Sequence, residues 1–99
     1  RHDLILLGMG PDGHTASLFP GTVALDVVDR WVVENYVPAK ETWRISMTYP
    51  LINAARHVCF LVNSAGKDKI LEEVFSGTST YPCAKIAPTD GTLTWLLGA

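Results

Sequence analysis

Two residues with the chemistry of an acid–base pair, Asp12 and His14, stand two positions apart in the sequence. They belong to a glycine-rich stretch, residues 8–14, that reads Gly-Met-Gly-Pro-Asp-Gly-His. Histidine ionises near neutral pH and often serves as a general base, and a nearby carboxylate can orient its ring or hold a substrate hydroxyl. In the alternative interpretation, Asp12 only forms and caps the turn, and His14 is simply exposed.

The elements on either side of this stretch are expected to place it at one edge of a sheet. Leu4–Leu7 is a continuous aliphatic run, which is typical of a parallel strand buried on both faces. Residues 14–18 can start a helix whose free N–H groups face the turn. Open α/β sheets bind ligands beyond the carboxyl ends of their strands, and Gly8, Gly10 and Gly13 let the backbone approach a ligand closely. We therefore expect a ligand site in this turn.

The remainder of the chain alternates between strand-like and helix-like segments. The order strand, turn, helix occurs twice, which predicts an α/β fold with a parallel sheet covered by helices, a Rossmann-like domain of three layers. The three tryptophans are expected to anchor the core. The predicted elements after the turn are strands over residues 31–37, 43–48, 57–62 and 84–87, helices over residues 50–56 and 67–75, and a last apolar segment over residues 92–97.

Composition limits the classes of protein that the chain can be. With 99 residues and an apolar fraction of 47%, residues 1–99 form one portion of a single domain with enough apolar residues for a core. A net charge of −2 gives no electrostatic reason to expect nucleic acid or a membrane surface as a partner. Two cysteines, Cys59 and Cys83, are too few for a disulfide framework or a four-ligand zinc site, so a reducing, cytoplasmic location is the default.

The glycine-rich stretch also matches a dinucleotide-binding fingerprint, Gly8-x-Gly10-x-x-Gly13 after a strand. That interpretation needs a long helix directly after the glycines, and Pro20 ends any helix within two turns. It also needs an acidic residue that ends a second strand at the right spacing, and neither Asp29 nor Glu34 clearly does so. A nicotinamide-binding module therefore remains only an alternative.

A longer match indicates a family. Residues 8–20, which read Gly-Met-Gly-Pro-Asp-Gly-His-Thr-Ala-Ser-Leu-Phe-Pro, closely resemble the signature of the 6-phosphogluconolactonases, which share a superfamily with glucosamine-6-phosphate isomerases and deaminases. The blocks at residues 44–56, 66–67 and 91–95 resemble later motifs of the same family. The deaminase branch usually continues with Ala-Phe-Asn-Glu-Pro, whereas this chain has Ala-Ser-Leu-Phe-Pro at residues 16–20, which favours the lactonase over the isomerase/deaminase alternative.

The resemblance implies a reaction and a set of roles. It implies hydrolysis of 6-phospho-D-glucono-1,5-lactone, a step of carbohydrate metabolism in the pentose phosphate pathway, without metal or organic cofactor. His14 is the implied catalytic base, Asp12 its partner, and backbone N–H groups of residues 8–13 are candidate oxyanion donors. The enzyme is expected to act after glucose-6-phosphate dehydrogenase or in fusion with it. Family chains are more than twice as long, so residues 1–99 are expected to be the carboxyl-terminal part of such a domain.

Two cations outside the turn are further candidates for substrate binding. Lys67 follows Gly66 at a predicted helix start and matches a phosphate-side position of the family, although a solvated lysine beside Asp68 and Lys69 is the simpler interpretation. Arg44 alternates with apolar neighbours on a predicted strand, and resemblance gives it a phosphate or carboxylate contact, whereas sequence alone suggests an ordinary exposed arginine.

Overall fold

The computed structural model describes residues 1–98 and combines a parallel sheet with an antiparallel hairpin. The elements are β1 Leu4–Leu7, β2 Val32–Val37, β3 Thr42–Met47, α1 Tyr49–Asn53, β4 His57–Asn63, α2 Asp68–Ser76 and β5 Thr92–Gly98, with short 3₁₀ helices at Val23–Asp26, Pro38–Lys40 and Pro82–Lys85. The parallel sheet has its three strands in the order β1-β4-β5, and the hairpin pairs β2 with β3. The helices α1 and α2 flank β4 in the sequence.

The core lies against one face of the parallel sheet. Alternate residues of β1 and β4 turn their side chains into it, and Phe60 in the central strand is fully buried. The Phe60 ring stacks on Trp95 of β5 with centroids 4.0 Å apart. The α/β architecture with a parallel sheet and helices is therefore confirmed. The main core side chains come from the parallel sheet, the hairpin, both helices and the connecting segments: Ile5, Leu7, Leu18, Val33, Leu51, Ile52, Val58, Phe60, Val62, Leu71 and Ile86.

The opposite face of the sheet is open in the part of the chain that the structure describes. Leu4 and Leu6 of β1 are 55% and 56% exposed, and Leu61 of β4 is 50% exposed. The prediction that Leu4–Leu7 is buried on both faces is therefore wrong for residues 1–98, because nothing in this range packs on the second face. The aliphatic run still serves as a parallel strand, paired with β4 from Leu4 opposite His57 onward.

The hairpin turns its more polar face inward. Asn35 and Ser46 are 1% and 3% exposed, whereas Trp43 and Ile45 on the other face are 65% and 73% exposed. The expectation that the tryptophans anchor the core is therefore wrong for Trp43, and Trp31 is likewise 63% exposed. The physical reason is that Asn35 and Ser46 satisfy backbone groups of the segment after His14, which regular secondary structure leaves unpaired.

Two local predictions fail for identifiable reasons. Residues 14–18 form no helix, because the Thr15 carbonyl accepts from the N–H of Leu18 in a tight turn, with Ala16 at a φ of +51°. The strand expected over residues 84–87 is replaced by the 3₁₀ helix Pro82–Lys85, which begins at a proline. The other predicted strands and helices are present with bounds shifted by a few residues. Within residues 1–98, every helix is too short or too polar to cross a bilayer.

Candidate functional site

The turn after β1 is closed by hydrogen bonds of its own backbone. The N–H of Gly10 donates to the His14 carbonyl at 2.9 Å, and the N–H of Gly13 donates to the Gly10 carbonyl at 3.0 Å. The Thr15 hydroxyl returns to the Gly8 carbonyl at 2.8 Å. These contacts fold residues 8–15 into a compact loop at the carboxyl end of β1, which is where open α/β sheets place ligand sites.

Asp12 and His14 form a direct side-chain contact. Asp12 Oδ1 lies 2.5 Å from His14 Nδ1 and also accepts the backbone N–H of His14 at 3.2 Å. Because an ionised carboxylate only accepts, the Nδ1 atom carries the hydrogen, and a neutral imidazole then has its lone pair on Nε2. Asp12 therefore does both: it caps the turn by accepting the backbone N–H of His14, and it orients the imidazole ring by accepting from Nδ1.

The electrostatics of the Asp12 carboxylate reflect the same contact. Partial burial acts to raise its pKa, but the hydrogen bonds from the side chain and backbone of His14, together with attraction to the charged imidazole, outweigh burial and lower the pKa below its ordinary value of 3.8. The carboxylate therefore stays ionised at any pH near neutrality and is ready to stabilise a positive charge on the imidazole ring of His14.

The His14 ring is held on two more sides. It stacks on the buried Phe19 ring, with centroids 4.0 Å apart and planes inclined by 19°. On another side it packs so closely against Gly10 that a Cβ there would stand 2.0 Å from its Cε1 atom. The ring lines a cleft of about 360 Å³ whose walls are Gly8, Met9, Gly10, His14, Thr15 and Ala16. An oriented base at a cleft is the arrangement that general base catalysis requires.

The structure brings Lys67 to this turn from a distant part of the chain. Lys67 directly precedes α2, and its Nζ atom donates to the Met9 carbonyl at 2.9 Å. An ammonium has three hydrogens, so two remain for another acceptor. The interpretation of Lys67 as a merely solvated lysine does not describe its position, because the ammonium is bound to the glycine-rich turn.

Arg44 is placed differently. It lies on the same hairpin face as Asn35, directly opposite it in register, and its side chain is exposed. Among residues 1–98 the Arg44 guanidinium forms no hydrogen bond or ion pair, so no polar contact ties it to the Asp12–His14 pair. A contact between Arg44 and substrate stays a prediction.

The three glycines of the turn serve different purposes. Gly13 adopts a φ of +79°, and a Cβ there would meet the Tyr81 ring at 2.6 Å. Gly10 makes room for the His14 ring, whereas a Cβ on Gly8 would meet nothing within 4 Å. The N–H groups of Gly10 and Gly13 donate to backbone carbonyls inside the turn. These two groups are therefore not free to bind an oxyanion, contrary to the expectation from the sequence. Direct substrate contacts of all three glycines stay predictions.

Sequence reasoning missed three residues that shape the site. Thr15 is 1% exposed and links the two ends of the turn, Phe19 supports the histidine ring, and Asn35 holds the segment between them from the hairpin. The first two lie within the signature, where their roles depend on a loop conformation that periodicity does not predict. The signal for Asn35 was an amide between Val33 and Val37 on one face of a predicted strand.

The geometry excludes the dinucleotide interpretation. A dinucleotide fold needs a helix directly after Gly13 whose free N–H groups bind the pyrophosphate. Residues 14–22 instead form turns, and the N–H groups of Gly10 and Gly13 are already bound. Fold and site together define an α/β protein with a carboxylate–histidine acid–base pair at the carboxyl end of a parallel strand.

The chain belongs to the family described as glucosamine-6-phosphate isomerases/6-phosphogluconolactonase, whose model matches residues 1–95. It is 49% identical over 98 residues to a 6-phosphogluconolactonase of Synechocystis and 45% identical over 102 residues to a probable 6-phosphogluconolactonase of Drosophila melanogaster. These matches cover 96% and 100% of this chain, and 40% and 42% of the two relatives. The names of these relatives favour the lactonase branch over the isomerase branch.

Solved structures give the same likeness in three dimensions. The 6-phosphogluconolactonase of Leishmania guyanensis superimposes with a TM-score of 0.83 at 31% identity, and that of Trypanosoma cruzi with 0.84 at 32%. Both matches cover 97% of this chain, and 39% and 38% of the solved chains. The chain thus spans about two fifths of the length of the relatives it matches. Its assignment to the carboxyl-terminal part stays a prediction.

Proposed function

We propose that the full-length protein hydrolyses 6-phospho-D-glucono-1,5-lactone to 6-phosphogluconate in the pentose phosphate pathway. The observation that carries the proposal is the 2.5 Å contact between Asp12 Oδ1 and His14 Nδ1, which leaves Nε2 as the basic atom of a ring that lines the cleft. Membership of the family and the names of the relatives support the same reaction.

The arrangement performs the hydrolysis in two proton transfers. His14 Nε2 takes a proton from water, and the water oxygen attacks the lactone carbonyl carbon. The Asp12 carboxylate stabilises the imidazolium that this step creates. When the tetrahedral intermediate collapses, the bond between the carbonyl carbon and the ring oxygen breaks, and the imidazolium returns its proton to that oxygen. One water is added and one ester bond opened, and the product acid then ionises near neutral pH.

Lys67 and Arg44 are the proposed cations for the negatively charged ends of the substrate. Lys67 is anchored on the Met9 carbonyl beside the cleft, and its two remaining hydrogens suit a phosphate oxygen. The exposed guanidinium of Arg44 has the fork geometry that fits phosphate or the product carboxylate. Both assignments follow from family resemblance, and the position of the Lys67 ammonium supports the first of them.

The chemistry of the substrate defines what must precede this step. A sugar lactone forms by oxidation of a cyclic sugar at its hemiacetal carbon, so we propose that the protein acts after glucose-6-phosphate dehydrogenase or in fusion with it. A cytoplasmic location is proposed on the ground that Cys59 and Cys83 are both free thiols, as is usual in a reducing compartment.

Replacement of the proposed base tests the function. In the full-length protein, His14→Ala is expected to lower kcat by roughly 10²- to 10⁴-fold, because it removes a general base. The measurement is acid release from the lactone in a pH-stat, corrected for spontaneous hydrolysis. His57→Ala is the matched control, because His57 opens β4 at the other end of the sheet and its ring, within residues 1–98, hydrogen-bonds only the Thr92 hydroxyl. Near-normal turnover of His14→Ala would remove His14 from the mechanism.

Comparison of two lactones tests the phosphate role of Lys67. Lys67→Ala is expected to raise KM much more for the phosphorylated lactone than for glucono-1,5-lactone, since only the former offers a phosphate. Lys69→Ala removes the same charge from an exposed position two residues further along and serves as the control. An equal rise in KM for both lactones contradicts the phosphate role.

A further inference from the structure

Asn35 is a fully buried amide that does not belong to the catalytic turn. It lies in β2, is 1% exposed, and faces the segment that follows His14. Burying an amide without partners costs several kcal/mol, so such a residue is expected to be fully hydrogen-bonded. The partners of a buried amide therefore show which segment it serves.

Among residues 1–98, the hydrogen bonds of the Asn35 side chain all go to one short segment. Its Nδ2 atom donates to the Ser17 carbonyl at 2.9 Å and to the Thr22 hydroxyl at 3.0 Å, and its Oδ1 atom accepts the N–H of Ala24 at 3.2 Å. The orientation of the amide is fixed, because a carbonyl can only accept and a backbone N–H can only donate. Asn35 thus clamps residues 17–24 from the hairpin.

The clamped segment carries the ring that supports the histidine. Phe19 lies between Ser17 and Thr22, and its carbonyl accepts the Thr22 hydroxyl at 2.7 Å. The Phe19 ring is the one that stacks on His14. Ser46 adds a second contact from the hairpin, since its hydroxyl oxygen accepts the Ser17 N–H at 3.2 Å. A continuous set of short contacts therefore connects the Asn35 amide to the plane of the His14 ring.

We propose that Asn35 is a positioning residue for the histidine: it holds residues 17–22 so that the Phe19 ring fixes the orientation of the His14 imidazole at the cleft. The catalytic meaning of this role rests on the proposed function, but the geometric role does not. Within residues 1–98 the Asn35 side chain hydrogen-bonds to neither His14 nor Asp12, so it acts through Phe19. A misplacement of about 1 Å at a catalytic group can cost on the order of 100-fold in rate, which is why such a clamp matters.

Two variants remove the clamp to different degrees. Asn35→Leu removes all three hydrogen bonds, whereas Asn35→Asp keeps an acceptor for Ala24 and loses both donors. We expect kcat for the lactone to fall on the order of 10- to 100-fold in both, with KM changed less than about twofold, at temperatures where each variant is folded. The ring protons of His14, shifted upfield by the stacked Phe19 ring, should move toward the position of an unstacked histidine in the NMR spectrum.

Asn53 provides the matched control. Its amide holds another connection in the same manner, with Oδ1 accepting the N–H of Ala87 at 2.8 Å and Nδ2 facing the Lys85 carbonyl. Asn53→Leu is therefore expected to lower the unfolding temperature without moving the His14 resonances or kcat. An Asn35 variant that behaves like Asn53→Leu would show that Asn35 only stabilises the fold.

A double variant tests the route through Phe19. If Asn35 acts only through that ring, Phe19→Leu combined with Asn35→Leu lowers kcat no further than the worse single variant, whereas additive losses overturn the proposal. His14 resonances that stay unchanged in a folded Asn35 variant overturn it as well. The NMR measurement needs no activity, so a wild-type protein that fails to hydrolyse the lactone refutes the proposed function and leaves the role of Asn35 to be decided by the spectra.

Discussion

Gly10→Ala is the substitution for which the structure gives the sharpest expectation. A Cβ at position 10 would stand 2.0 Å from Cε1 and 2.2 Å from Nδ1 of His14, whereas ordinary contact begins at 3.4 Å. The imidazole must therefore retreat by about 1.4 Å at its nearest atom. Gly10 does not have a positive φ, so alanine is compatible with the backbone, and the whole effect passes through the ring.

The size of this retreat determines the expected loss. Asp12 binds the ring at Nδ1 and Phe19 stacks on it, so the imidazole can move away from a new methyl group only by weakening one of these contacts. The 2.5 Å hydrogen bond between His14 Nδ1 and Asp12 Oδ1 can lengthen by only about 0.7 Å before it exceeds the hydrogen-bonding limit of about 3.2 Å. We expect kcat to fall on the order of 100-fold. Overpacking of this kind should also cost about 1–3 kcal/mol of unfolding free energy.

The assay measures lactone hydrolysis together with thermal unfolding, and Gly98→Ala is the matched control. A Cβ on Gly98 would come no closer than 4.0 Å to the Val62 carbonyl, and its φ is not positive. That variant should keep full activity and gain up to about 1 kcal/mol of stability from a less flexible unfolded chain. Gly10→Ala placed in a His14→Ala background should cause no further loss of activity, because the clashing ring is gone. Normal turnover of Gly10→Ala, or a further loss in that background, refutes the reasoning.

Three further outcomes are expected. Thr15→Val removes the hydroxyl that donates to the Gly8 carbonyl at 2.8 Å and should cost about 1 kcal/mol in urea unfolding. Burial raises the pKa of the Cys83 thiol to about 11 and that of the Tyr49 hydroxyl to about 12. Both groups therefore lose their protons at lower pH in the unfolded chain than in the folded one, and the free energy of unfolding should fall as the pH rises above about 9. Tyr49→Phe should flatten the upper part of that decline. Phe60→Ala, at a fully buried position, should cost about 3–5 kcal/mol in the same unfolding measurement.

The strands and the Asp12–His14 contact could be predicted because their signals are local. The apolar runs at Leu4–Leu7 and over residues 57–62 have the length and composition of parallel strands, and they pair in the structure. Asp12 and His14 are two residues apart in a turn, so their contact depends only on the loop conformation that the glycines allow. The family signature covers the same stretch, and the family that it indicates is the one to which the chain belongs.

The hairpin shows why the rest could not be predicted. Alternation in β3 correctly separated Trp43 and Ile45 from Arg44 and Ser46, but it gave no information on which side faces the core. Hydrophobicity favoured the tryptophan side, yet Ser46 is the residue that is buried. Residues 14–22 have no regular secondary structure, so their backbone groups need polar partners from the neighbouring strands. This need becomes visible only once the loop and the hairpin are in contact.

The site therefore has a local part and a non-local part with different chemical tasks. The local part, Asp12 and His14, is the proposed proton-transfer pair, and its contact needs only the turn. The non-local part holds the turn and the segment after it in place. The Lys67 ammonium donates to the Met9 carbonyl across 58 residues of sequence, and the Asn35 amide donates to the Ser17 carbonyl across 18. Because general base catalysis depends on where Nε2 points as much as on its basicity, substitutions in the hairpin should alter turnover without altering the reacting groups.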